Sequence, residues 1–170
     1  MLELEHARQL LVDFKMPEAA CQLDACLERA ARQDASFISF LDQILTLQKK
    51  AQEDKNVKRR MKLSHLPERK TLEEFDFDFQ PSINRKQIQE LSSMAFVERA
   101  ENLILLGPPG VGKTHLATAF AVDALQHGMT AYFTTLSHLM DDLEKRKAKG
   151  MLARRYKFYA HPDLLIIDEV

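Results

Sequence analysis

The stretch that decides the fold is LILLGPPGVGKTHLA, residues 103–117. Four apolar residues lead into a loop with three glycines and two prolines, and the loop ends in Lys113 and Thr114. The loop fits the pattern G-x-x-x-x-G-K-[ST], in which successive backbone N–H groups turn toward a phosphate. A helix that begins at this point adds its free N–H groups and the positive end of its dipole. The sequence therefore predicts a loop that binds the phosphates of a nucleotide.

The side chains at the end of this loop have distinct predicted roles toward ATP and Mg²⁺. Lys113 can reach the β- and γ-phosphates as a point charge, which makes it a candidate catalytic residue. The Thr114 hydroxyl is a candidate metal ligand, because Mg²⁺ prefers hard oxygen donors. His115 borders the loop, but packing or solvent exposure is the favoured role of its ring. The predicted nucleotide-binding positions are Gly107, Pro108, Pro109, Gly110, Val111, Gly112, Lys113, Thr114 and His115.

A second motif, LLIIDE at residues 164–169, supplies two carboxylates. A buried strand would deliver Asp168 at its carboxyl end, which in an open α/β sheet lies beside the bound phosphates. Asp168 is therefore a candidate Mg²⁺ ligand, directly or through water. Glu169 is a candidate catalytic base that orients and activates the attacking water. The acidic pair favours a hydrolase over a kinase of small molecules.

Strands and helices alternate from residue 102 onward. The predicted strands are NLILL, TAYFTT and DLLIID. Helical patterns cover residues 115–126, a segment from Leu136 that stops at Gly150, and residues 151–160. This alternation predicts an α/β region, a parallel sheet covered by helices. We assign residues 102–170 to a partial nucleotide-binding domain.

The first 66 residues are predicted to form an all-helical domain with a basic carboxyl end. Pro17 suits a first helical turn, and Ser36 is a candidate N-cap for a helix with one apolar stripe. The segment 48–70 holds nine Lys or Arg and three Asp or Glu, a local charge of +6. Its basic run at 49–62 can contact nucleic-acid phosphates or form a solvated helix face, and the sequence leaves both open. Arg154, Arg155, Tyr156 and Lys157 form a second patch of this kind.

Residues 67–101 are predicted to form a linker and a lead-in helix. Phe75, Phe77 and Phe79 alternate with aspartates, a period that suits a short extended segment. Their rings could line an adenine pocket, but packing is the favoured role. A helical pattern follows between Ile88 and Val97.

Composition excludes several classes of protein. The chain has 170 residues, 45% of them hydrophobic, and a net charge of −1, as expected for a globular protein. Its two cysteines predict small buried residues and neither a disulfide framework nor a metal site. The amino terminus lacks the pattern of a signal peptide, and the longest apolar runs fall far short of the ~20 residues that span a bilayer. We therefore expect a cytoplasmic protein without membrane association.

Four segments together resemble the IstB-type transposition helper ATPases, relatives of the DnaC-type helicase loaders in the AAA+ class. These segments are FDFDFQPSINRKQI, ENLILLGPPGVGKTHLA, AYFTT and DLLIIDE. The resemblance implies an AAA+ nucleotide-binding sheet, ATP and Mg²⁺ as cofactors, and assembly on DNA as a homo-oligomer in the full-length form. It also implies delivery of a cognate transposase to its target, with residues 137–160 facing DNA.

The resemblance also implies elements that follow Glu169, namely a sensor strand, an arginine finger and further helices. One later strand would lie between the strand at 102–106 and the strand that carries Asp168. We therefore expect a C-terminally truncated copy with an incomplete sheet, and hydrolysis of ATP by these 170 residues at the family's rate is not expected. Two other functions stay open: a helicase loader in replication, and a non-catalytic remnant that binds DNA or a partner.

Overall fold

The computed structural model describes residues 2–170 as a helix-rich chain with one small parallel sheet. Its helices are α1 (Leu2–Asp13), α2 (Pro17–Arg32), α3 (Phe37–Leu63), α4 (Arg85–Leu91), α5 (Ala95–Glu98), α6 (Lys113–Gln126), α7 (Leu136–Ala148) and α8 (Leu152–Tyr159). Its strands are β1 (Ala131–Thr135) and β2 (Leu164–Asp168). The chain divides into two compact units, and the boundary between them along the sequence falls between Asn56 and Val57, inside α3. No helix within residues 2–170 has the length and apolarity needed to cross a membrane.

The first unit is helical, and α2 and α3 begin where the sequence predicts. Pro17 occupies the first turn of α2, where its missing N–H costs no hydrogen bond. The Ser36 hydroxyl accepts a hydrogen bond from the Ser39 N–H at 3.2 Å, which confirms the predicted N-cap of α3. Gln48 lies further along α3, and its side-chain oxygen accepts the free N–H groups of Glu18 and Ala19 at the start of α2.

A small apolar core holds the first unit together. It consists of Ala19, Leu23, Cys26 and Ile44, with partly buried side chains of α1 and α3 around it. The predicted apolar stripe of α3 is buried only in part, because Phe37 is 93% exposed. The expectation of two buried cysteines is wrong for Cys21, which is exposed.

The sheet of the second unit consists of β1 and β2, which run parallel with Ala131 opposite Leu164 and Thr135 opposite Asp168. Both strands agree with the sequence prediction. At their start, the Asp163 carboxylate accepts hydrogen bonds from the Thr130 N–H at 2.8 Å and the Thr130 hydroxyl at 2.7 Å. These bonds, the backbone N–H first, hold the pKa of Asp163 below its usual value. This carboxylate therefore stabilises the strand pair above the pKa of the unfolded chain, and the contribution is lost as the pH falls through the lowered pKa.

The predicted strand NLILL is wrong. Residues 102–106 form no ladder, and Ile104 and Leu106 are 75% and 88% exposed. A strand needs a neighbour for its backbone N–H and C=O groups. Within residues 2–170, β1 and β2 pair only with each other, and residues 102–106 form no ladder with the open edge of either strand. Of residues 102–106, only Leu105 packs against the apolar core formed by Phe96, Leu116 and their neighbours.

The extended segment predicted at Phe75–Phe79 is also wrong, because the chain turns there. The Asp76 carboxylate accepts the N–H groups of Asp78 and Phe79 at 3.0 and 3.1 Å, which closes a local turn. The rings consequently do not alternate between two faces: Phe75 is buried, Phe77 is half-buried and Phe79 is 70% exposed. The aspartates between the phenylalanines are turn formers here.

The segment between the two predicted domains packs on α6. The predicted single helix is two short ones, α4 and α5, separated at Met94, which adopts a left-handed conformation and is fully buried. The core of this region consists of Phe75, Ile88, Met94, Phe96, Leu116, Phe120 and Ala124. The second unit is therefore a helix-rich α/β region that fits part of a phosphate-binding-loop fold. Whether residues 1–66 fold as a separate domain stays a prediction.

The last turns of α3 belong to the second unit and pack on α6. Met61 lies against the core formed by Ala121, Leu125 and β1. The Arg60 guanidinium donates to the Leu125 carbonyl at 3.1 Å, close to the end of α6, where its charge complements the helix dipole. The Ser64 carbonyl accepts the Phe133 N–H at 2.8 Å. The basic segment therefore includes one arginine that is committed to the fold.

Helices α7 and α8 form a hairpin joined by a polar cluster. Arg155 forms an ion pair with Asp142, and the Tyr159 hydroxyl donates to the same carboxylate at 3.0 Å. Burial alone would raise the pKa of Asp142, but hydrogen bonds from Arg155 and Tyr159 hold it below its usual value. The Arg155 guanidinium also lies 3.9 Å from the centre of the Phe158 ring. This network fixes the angle of α8 on α7.

Candidate nucleotide-binding site

The loop at residues 107–112 leads directly into α6, as predicted. Gly110 and Gly112 have φ angles of +82° and +90°, a left-handed conformation that side chains other than glycine rarely adopt. Gly112 is the N-cap of α6 and has no capping side chain. The first N–H groups of this helix are therefore free for an external acceptor, and a phosphate is the natural one.

Lys113 is folded back over its own loop. Its Nζ donates to the carbonyls of Gly107 at 2.9 Å and Pro108 at 2.8 Å. The positive charge of Lys113 thus lies beside the loop that is predicted to bind phosphate. A bound triphosphate would exchange these two neutral acceptors for charged ones, which form stronger hydrogen bonds.

Thr114 and Asp168 meet, although they are 54 residues apart. The Thr114 hydroxyl donates to an Asp168 carboxylate oxygen at 2.7 Å. The two side chains come from the first turn of α6 and the carboxyl end of β2. A hydroxyl and a carboxylate are both oxygen donors of the type that Mg²⁺ prefers, and the exposed position leaves room for the water ligands that it keeps. The donor set therefore fits the predicted magnesium ion.

Glu169 follows Asp168 directly and leaves the strand. Its φ is +55°, a left-handed conformation that is uncommon for a residue with a side chain. The residue is exposed, so its carboxylate is in contact with solvent. The backbone therefore turns sharply where the sequence predicts a catalytic base.

The ring of His115 packs against the lead-in segment, residues 71–79. It lies edge-on to the Phe75 ring, with 5.2 Å between ring centres, and its Nε2 bonds to the Thr71 carbonyl at 2.9 Å. Packing was the favoured role for this side chain, and its place among the nucleotide-binding positions stays a prediction. Sequence reasoning offered Phe75 as a packing residue or as part of an adenine pocket, and it missed the contact of this ring with the start of α6. The repeated Phe-Asp pattern did not indicate which of the three phenylalanine rings lies at the start of α6.

The other aromatic side chains of the lead-in segment differ in role. Phe77 packs against the Phe75 ring and lies under the Arg85 guanidinium, 5.2 Å from ring centre to charge. Packing is thus confirmed for Phe75 and Phe77. It is wrong for Phe79, which is exposed. An apolar pocket of about 260 Å³ lies between α7, α8 and β2 and includes none of the loop residues.

Comparison with known proteins agrees with this geometry. Residues 9–170 match the family described as IstB-like ATP binding protein. The chain is 42% identical over 161 residues to the insertion sequence IS21 putative ATP-binding protein of Pseudomonas aeruginosa, covering 95% of this chain and 61% of that protein. It is 36% identical to the IS5376 putative ATP-binding protein of Geobacillus stearothermophilus, covering 91% and 62%. For the IS232 putative ATP-binding protein of Bacillus thuringiensis subsp. berliner, the identity is 36% and the coverage 92% and 63%. The chain thus spans about three fifths of the length of these relatives.

Proposed function

Because the chain belongs to the family of IstB-like ATP-binding proteins, we propose that it binds Mg·ATP and serves as a helper protein of DNA transposition. The observation that carries the nucleotide-binding part is the hydrogen bond between Thr114 and Asp168. The phosphate-binding loop and the acidic motif, far apart in sequence, come together at this hydrogen bond. It lies at the N-terminus of α6, whose first N–H groups are free. This is the arrangement that a metal-bound triphosphate requires.

Each side chain of the site has a defined task in this proposal. Lys113 neutralises the β- and γ-phosphates, and Thr114 and Asp168 would hold Mg²⁺, which would supply further positive charge to the phosphates. Glu169 accepts the proton of an attacking water. Binding requires the first three of these residues, and hydrolysis requires the fourth as well.

The proposed DNA surface uses the basic side chains that the fold leaves free. In the part of α3 that belongs to the second unit, these are Lys58, Arg59 and Lys62, which are exposed, whereas Arg60 is bonded to α6. On α8, Arg154 and Lys157 are exposed, whereas Arg155 is bonded to Asp142. The phosphate contacts are therefore assigned to the exposed residues, and the two bonded arginines to the support of their helices.

Reversing the charges of Lys58 and Arg59 to Glu is expected to weaken DNA binding by a similar factor for unrelated sequences. Each lost phosphate contact lowers the slope of log affinity against log salt by about one. A matched control reverses Arg29 and Arg32, two exposed arginines of α2, for the same change in net charge. Fluorescence anisotropy of labelled duplexes over a range of salt concentrations measures both quantities. Equal affinity and equal slope in the two variants would leave the α3 segment as a solvated face.

The proposed partners are DNA, the transposase encoded with the protein and, in the full-length form, further copies of itself. The proposed location is the cytoplasm, where bacterial DNA lies. The relatives named above are insertion-sequence proteins, which favours transposition over helicase loading.

The test is size-exclusion chromatography with Mg·ATP and either the transposase or a replicative helicase. Co-elution with the transposase alone is expected, and co-elution with the helicase alone would replace this proposal by the loader function. Release of phosphate from ATP in the same mixture would exclude a non-catalytic remnant.

A further inference from the structure

We propose that Phe75 is a positioning residue for the phosphate-binding loop, because its ring supports Gly112 in the conformation that receives phosphate. This inference rests on the proposed nucleotide binding and deepens it. It gives the lead-in segment a task in that site, through packing against the loop.

The Phe75 ring lies so close to Gly112 that it restricts the position of this residue of the loop. A Cβ atom placed on Gly112 would lie 2.6 Å from Cε2 and 3.1 Å from Cζ of the Phe75 ring. The ring thus occupies the space that a side chain at 112 would need. Gly112 is the N-cap of α6, and its left-handed φ of +90° sets the direction of the N–H groups that follow. Support at this one residue therefore acts on the whole anion-binding turn.

The Phe75 ring is itself held in place. It is 8% exposed and packs edge-on against Phe77, with 4.9 Å between ring centres. His115 lies against it from the first turn of α6 and bonds to the Thr71 carbonyl. The Phe75 N–H donates to the Leu72 carbonyl at 3.2 Å. Loop, helix start and lead-in segment are therefore packed as one body.

A supported loop binds better because less ordering is needed when the ligand arrives. The loop is otherwise exposed, from Gly107 through Gly110, and the preceding residues 102–106 lack strand hydrogen bonds. The Phe75 contact therefore supplies order that the preceding segment does not. Immobilising groups on binding lowers affinity, and packing that fixes them beforehand recovers it.

The test is calorimetric titration of Mg·ATP and of Mg·tripolyphosphate into the 170-residue chain and its Phe75→Leu variant. We expect the variant to bind both ligands about three- to tenfold more weakly, since the support acts on the phosphates. Phe96→Leu is the matched control. Phe96 belongs to the same core but packs against Phe120, about two turns along α6 from the loop. Circular dichroism checks that each variant is folded at the titration temperature.

The affinity losses of the two variants for the two ligands distinguish positioning of the loop from the other possible roles of Phe75. Equal loss for both ligands in Phe75→Leu, with Phe96→Leu within about twofold of wild type, supports positioning. Loss for ATP alone would show an adenine contact and overturn it, and equal loss in the two variants would reduce Phe75 to a general core residue. If Phe75→Leu does not fold, His115→Gln removes the ring that packs edge-on against Phe75, and unchanged affinity for tripolyphosphate would overturn the inference. Failure of the wild type to bind either ligand would overturn the proposed function as well.

Discussion

Alanine in place of Lys113 is expected to lower the affinity for Mg·ATP about tenfold or more. The ammonium group lies 2.9 and 2.8 Å from the carbonyls of Gly107 and Pro108, so it is already placed at the loop. A hydrogen bond to a charged group contributes about 1.5–3 kcal/mol, and about 1.4 kcal/mol corresponds to a tenfold change in affinity. Calorimetric titration with ATP measures the difference directly.

Lys145→Ala serves as the control for this variant. Lys145 is an exposed lysine of α7, so its loss gives the same change in net charge. We expect its ATP affinity to stay within about twofold of wild type, because a single distant surface charge is screened by salt. If Lys113→Ala binds ATP as tightly as Lys145→Ala, the phosphate-binding role of the loop is wrong.

Alanine in place of Gly112 is expected to destabilise the second unit by about 2–5 kcal/mol. Two costs add at this position. A residue with a Cβ at φ +90° costs about 1–2 kcal/mol. The new methyl group would also lie 2.6 Å from the Phe75 ring, and overpacking a core costs about 1–3 kcal/mol. Urea denaturation, followed by circular dichroism, measures the change in the free energy of unfolding.

Gly110→Ala separates these two costs. Its φ is +82°, close to that of Gly112, but a Cβ there meets no heavy atom within 4 Å. We expect this variant to show only the backbone cost of about 1–2 kcal/mol. Equal destabilisation by the two alanines would mean that the Phe75 ring does not restrict position 112.

The phosphate-binding loop and its acidic partner could be predicted from sequence because each depends on local chemistry. The glycine spacing, Lys113 and Thr114 fix the loop and the start of α6 wherever the chain folds. The apolar run before Asp168 fixes a strand that ends at the carboxylate. Only the structure places the Thr114 hydroxyl at 2.7 Å from Asp168, although the alternation of strands and helices predicted that they share one edge.

Features that depend on distant neighbours could not be predicted in this way. The apolar pattern of residues 102–106 is typical of a strand, but a strand forms only where the chain brings the segment alongside a partner, and in the described sheet β1 and β2 pair only with each other. The alternation of phenylalanine and aspartate is equally typical of a strand, yet the Asp76 carboxylate closes a turn. Arg60 and Arg155 look like their basic neighbours in sequence, and their partners, Leu125 and Asp142, appear only in the fold.

The most direct test of a joint Mg·ATP site is to titrate ATP, with and without Mg²⁺, into the wild-type chain and Asp168→Asn. We expect Mg²⁺ to raise the affinity of the wild type about tenfold or more, since the metal links the phosphates to Thr114 and Asp168. In Asp168→Asn most of this gain should vanish, while metal-free ATP binds at least as well, because a negative charge beside the phosphates is gone. ATP binding that Mg²⁺ leaves unchanged in the wild type, or raises equally in both proteins, would contradict the assignment of Asp168 and the loop to one site.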